Sequence, residues 1–161
     1  MRRAGRCASG PIGVRTTSID RQYLPPRSYK LAPTLLGDSF RQAAEAGDHG
    51  KLMSAISEDV VFRSPIVFKP YEGRDAVAPI LAAVFTVFED FRYVDQLEGD
   101  GSATLLFKAR VGDRELDGLD YLRFGEDGLV SELTVMVRPL SAATALAETM
   151  RSKLEAAASA S

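Results

Sequence analysis

A chain of 161 residues, 45% hydrophobic and 26% charged, carries enough apolar material for one domain with a core and too little for two. The net charge of -2 hides an asymmetry: residues 1–33 hold seven Arg or Lys against Asp20 alone, a balance of +6, while the rest holds 13 basic and 21 acidic residues, a balance of -8. An acidic body argues against a nucleic-acid partner, the single cysteine Cys7 excludes an internal disulfide or a zinc site of paired cysteines, and no apolar run reaches transmembrane length.

Residues 1–33 mix Gly, Pro, Ser, Thr and Arg without helical or strand periodicity and read as a flexible basic extension, with the domain beginning near Thr34. Arg2-Arg3 is followed by no apolar stretch, so no secretory signal is expected, and a reducing cytoplasmic setting fits the lone cysteine. Leu36, Phe40, Ala43 and Ala44 predict a helix over 35–46, stopped by Gly47-Asp48. Leu52, Met53 and Ile56 predict a short second helix reaching Ser57. Val60, Phe62 and Ser64 alternate as a short strand broken at Pro65, and Tyr71-Glu72-Gly73 reads as a turn. Asp75 is the expected cap of a helix over 76–88, with Pro79 in about its first turn and a broad apolar stripe through Val77, Ile80, Leu81, Val84, Phe85 and Phe88.

Strands are expected over 91–98, 103–111, 115–124 and 129–137, separated by Gly99-Asp100-Gly101, Gly112-Asp113-Arg114 and Gly125-Glu126-Asp127-Gly128. A helix over 141–157, with Leu146, Met150 and Leu154 at one face, leads into the tail ending at 161. Helices followed by mostly antiparallel strands give the α+β class, with helices on the concave side of a curved sheet and a hollow inside it.

Asp120 is the residue that points to chemistry. At period two it shares a strand face with Leu122 and Phe124, where a carboxylate must be paired, be protonated or line a cavity. Tyr93 and Ser64 share the inward parity, and Phe62, Phe85, Phe91 and Phe107 read as core residues, some lining the hollow. His49, the only histidine, lies in an Asp-His-Gly turn and reads as a solvated loop residue rather than a base. No phosphate-binding glycine loop, His-Glu-x-x-His or Gly-x-Ser-x-Gly is present, so neither a nucleotide nor a metal cofactor is expected.

Ala46-Gly47-Asp48, Ser64-Pro65, Tyr71-Glu72-Gly73-Arg74 and Leu119-Asp120-Tyr121-Leu122-Arg123-Phe124, in that order, resemble the nuclear transport factor 2-like superfamily over roughly residues 34–140. The resemblance implies a cone-shaped curved antiparallel sheet wrapped by helices, a cystatin-like α+β barrel. It places Asp120 where ketosteroid isomerases keep a protonated, hydrogen-bond-donating acid, a system whose physics is well described. Phe40 falls at their oxyanion tyrosine and Ser64 at their general-base aspartate, and neither side chain can do that work. Glu132 and Gly118 likewise fail to supply the second acid and the arginine that a limonene-type epoxide hydrolase requires.

The expectation is therefore a small apolar ligand bound by Phe40, Phe62, Ser64, Tyr93, Phe107, Leu122 and Phe124, without cofactor or metal, with Asp120 as the catalytic acid of cyclase- or isomerase-type chemistry. The alternative is a non-catalytic ligand-binding or dimerisation module. The resemblance also implies a homodimer through the outer sheet face, where Arg138 either pairs across an interface or stands as an exposed edge residue.

Overall fold

The computed structural model describes residues 35–159; the basic segment 1–33 lies outside them. Helix α1 (Asp38–Glu45) buries Phe40, Ala43 and Ala44, and α2 (His49–Ser54) buries Leu52. The Asp48 carboxylate caps α2 by accepting from the Lys51 N–H at 3.0 Å. The second helix is shorter than its apolar spacing predicts. Ile56 already belongs to β1 (Ile56–Arg63), because burial against β6 outweighs its local helical spacing to Leu52.

Tyr71 and Glu72 form a two-residue strand, β2, rather than a plain turn, and pair antiparallel with Phe62 and Val61. Helix α3 (Arg74–Val87) begins two residues earlier than expected and ends one residue sooner. Gly73, not Asp75, takes the cap position at φ 87° and ψ 145°, a backbone conformation that side chains resist. Asp75 instead places its charge in the first turn, at the positive end of the helix. Pro79 lies inside α3, past the first turn.

The remaining strands are β3 (Glu89–Gly99), β4 (Ser102–Val111), β5 (Arg114–Phe124) and β6 (Val130–Arg138), followed by α4 (Leu140–Ser159). The sheet runs β2-β1-β6-β5-β4-β3, antiparallel throughout except where β1 lies parallel to β6. Opposed residues set its two faces. Leu105, Asp120 and Val135 stand abreast on the inner face, as do Phe107, Gly118 and Val137; Leu106, Leu119 and Met136 form an outer row. Helices α3 and α4 pack with the inner face around buried Val77, Ile80, Leu81, Leu105, Leu133 and Leu146. No described helix is long and apolar enough to cross a membrane.

Candidate functional site

Inward parity on β5 carries Asp120 to the floor of a cavity of about 310 Å³ lined by the inner sheet face, all four helices and the segment after β1. Its neighbours across the sheet, Leu105 and Val135, bring no counter-charge. The one hydrogen bond Asp120 receives among the described residues comes from the Tyr93 hydroxyl, which donates to Oδ2 at 2.6 Å; Oδ1 has no protein partner there. Burial pushes the Asp120 carboxyl up to about 7, and the Tyr93 hydrogen bond only partly opposes it. The tyrosine hydroxyl is itself pushed upward, first by burial and then by the carboxylate beside it, and so remains a phenol that donates.

Tyr93 is held by its surroundings on every side. Its ring meets Phe91 edge-on at 5.0 Å and Phe107 at 6.3 Å, the Arg41 guanidinium lies 6.0 Å from the ring centre, and its backbone N–H donates to Glu45 Oε1 at 3.1 Å. Helix α1 is thereby fastened to β3 where the phenol must point. Gly118 has a separate role, because a Cβ there would sit 2.1 Å from Phe107 Cζ. The phenylalanine ring lies flat across the strand, two residues from Asp120, only because position 118 has no side chain.

Five of the seven expected ligand contacts, Phe40, Phe62, Ser64, Tyr93 and Phe107, line this cavity with Asp120. Leu122 and Phe124 do not. They keep the inner face but lie further along β5, near Gly37 ahead of α1, where a Cβ would be 3.6 Å from Leu122 Cδ1 and 3.4 Å from Phe124 Cζ. Leu122 is buried there, and Phe124 lines a separate cavity with Gly37, Ala43 and Leu129. The Ser64 hydroxyl accepts from the Ile66 N–H at 3.1 Å, shaping the turn after β1.

His49 is not a free loop residue: it opens α2, and its Nε2 contacts the Ala78 carbonyl of α3 at 3.0 Å, so that nitrogen carries the proton. Arg138 on the outer face pairs with Asp117 at 2.8 Å, which also receives Lys108 at 2.7 Å. The two cations, Lys108 foremost, hold the Asp117 carboxyl below its usual range. Sequence reasoning did not find the contribution of α4, whose Leu146, Ala147, Met150, Arg151 and Leu154 all line the cavity. The spacing of Leu146, Met150 and Leu154 showed an apolar face, but nothing local indicated what it would cover.

Residues 38–133 match the SnoaL-like domain family. The chain belongs to that family. With it the SnoaL-like domain takes its place in the nuclear transport factor 2-like superfamily. Among solved structures, a steroid delta-isomerase from Pseudomonas aeruginosa is 44% identical to this SnoaL-like protein over 74% of this chain and 89% of its own, with a TM-score of 0.71. An uncharacterised bacterial protein with a cystatin-like fold from Silicibacter pomeroyi is 30% identical over 73% and 83%, with a TM-score of 0.70. An NTF2-like protein of unknown function from Cytophaga hutchinsonii shares the fold at 14% identity, covering 70% and 97%, with a TM-score of 0.54. No curated protein matches the chain.

Proposed function

We propose that the cavity binds an apolar organic molecule bearing a carbonyl and that Asp120 serves it as a neutral acid. One observation carries this reading: a buried carboxyl among apolar walls, bonded through one oxygen to Tyr93, with its other oxygen unclaimed by any described residue. In the protonated form Oδ1 donates to the ligand oxygen, and the bond strengthens as negative charge develops there. Tyr93, donating to Oδ2, stabilises the charge the carboxyl takes on as its proton shifts toward the ligand.

The Pseudomonas relative is a steroid isomerase, but in this cavity Phe40 and Ser64 stand where the resemblance places the oxyanion tyrosine and the catalytic base. Among the described residues Asp120 is the only carboxylate lining the cavity. A cyclase-type reaction, in which an already activated substrate supplies its own acidic carbon, asks for a single acid and fits these residues better than steroid isomerisation. The same loss of partners favours a second reading, ligand binding without turnover.

Untargeted ligand capture with mass spectrometry tests the proposal. Wild type is expected to retain an apolar carbonyl compound that Asp120→Ala loses and that Val84→Trp, which fills the cavity, excludes. Equal retention by wild type and Asp120→Ala would remove the acid from the mechanism; retention with turnover, absent in Asp120→Asn, separates the enzyme from the binding module.

Exposed Val94, Leu97 and Met136, with half-buried Leu106 and Leu119 on the outer sheet face, support association of two copies there. Sedimentation is expected to give a dimer for wild type and a monomer for Met136→Glu; the same mass for both would exclude that face.

A further inference from the structure

We infer that the cavity's ligand is an apolar organic acid whose carboxylate is held by Arg151 of α4. The inference rests on the proposed reading that this cavity takes a ligand, and adds what kind.

Among the described residues two charged side chains line the cavity, Asp120 and Arg151. Asp120 is engaged by Tyr93, whereas Arg151 makes neither an ion pair nor a hydrogen bond among the described residues. Its acidic neighbours along α4, Glu148 three residues before and Glu155 four after, form no ion pair with it. Within the described residues nothing ties this cation to another part of the protein.

Its position on the helix is specific. Leu146, Met150 and Leu154 form one row into the cavity, and Ala147 and Arg151, four residues apart, form a second row beside it. The small Ala147 leaves the arginine stem space along the wall, and Arg151 is exposed, so the charge it brings to a mainly apolar lining stays in contact with solvent. A guanidinium carries five donors and no acceptor in a planar fork that matches a carboxylate. An apolar body between the two poles would direct its acid group toward the Arg151 cation and leave its carbonyl to Asp120.

Helix α4 also lies beyond the residues 38–133 that match the family.

The test compares 4-(1-naphthyl)butanoate with 4-(1-naphthyl)butan-1-ol, which share an apolar body and differ in the acid. The chain has no tryptophan, so naphthalene emission reports binding directly. Wild type is expected to bind the acid about tenfold more tightly than the alcohol at low salt, the scale of one charge-assisted hydrogen bond. Arg151→Gln is expected to erase that preference while holding the alcohol affinity within about twofold, Arg151→Lys to restore part of it, and salt to narrow it. Arg151→Gln binding the acid as tightly as wild type, with the alcohol still bound by both, would overturn the inference and leave the cavity reading intact. Failure of wild type to bind either probe, or binding of both that Val84→Trp leaves unchanged, would overturn the cavity reading itself.

Discussion

Raising the pH from about 4 to 8 is expected to cost wild type on the order of 4 kcal/mol of stability relative to Asp120→Asn, after which the two run parallel. The sign follows from the direction of the shift. Asp120 titrates near 7 when folded, against 3.8 for an unperturbed carboxyl, so between those values the folded chain holds a proton that the unfolded chain has released. Stability is at its full value below the unfolded pKa and declines until the folded pKa is passed. Asparagine keeps an oxygen to accept from Tyr93 and has no proton to lose, so it isolates this one group. Carboxylates held low, such as Asp117 and Asp48, act in the opposite direction at lower pH and cancel in the comparison. Urea unfolding at half-unit intervals checks it; parallel curves from pH 4 to 9 would mean the carboxyl is solvated. A ligand accepting from the acid should follow the same midpoint, binding more weakly above pH 7.

Gly118→Ala is expected to lower stability by about 2 kcal/mol and to weaken every cavity ligand. Removing glycine from a strand normally gains a few tenths of a kcal/mol or more. Here the new methyl would overlap Phe107, whose ring is hemmed in by Phe91 at 5.3 Å and Phe88 at 5.8 Å. The ring can yield only toward the cavity, so the same substitution that strains the sheet fills the space a ligand needs. Urea midpoints and the affinity of 4-(1-naphthyl)butan-1-ol measure the two effects, and a stable variant with unchanged affinity would show that the ring has another place to go.

Strand periodicity was enough to assign Asp120, Phe107 and Tyr93 to one face, because a residue's side of a sheet follows from parity alone. How far along that face a cavity extends does not follow from parity. Leu122 and Phe124 share the side of Asp120 but lie where α1 approaches the strand, and the helix is placed by contacts distant in sequence. The hydrogen bond between Tyr93 and Asp120 joins residues on strands that are not neighbours in the sheet, with β4 between them, so no spacing rule reveals it. The amphipathic face of α4 was visible as a pattern, while nothing in that pattern singled out Arg151, which lines the cavity only because the helix lies across it. Ile56 was misread for a related reason: its spacing to Leu52 suits a helix, but pairing with Val130 brings it into the sheet.

The parallel pairing of β1 with β6 bears on how the polypeptide is made. Phe62 finds its partner Leu133 only after the whole meander between them has been synthesised, so the first strand leaves the ribosome with one edge unsatisfied. Nascent chains halted before β6 should bind chaperones and resist compaction, and closure of this long loop should set the pace of folding.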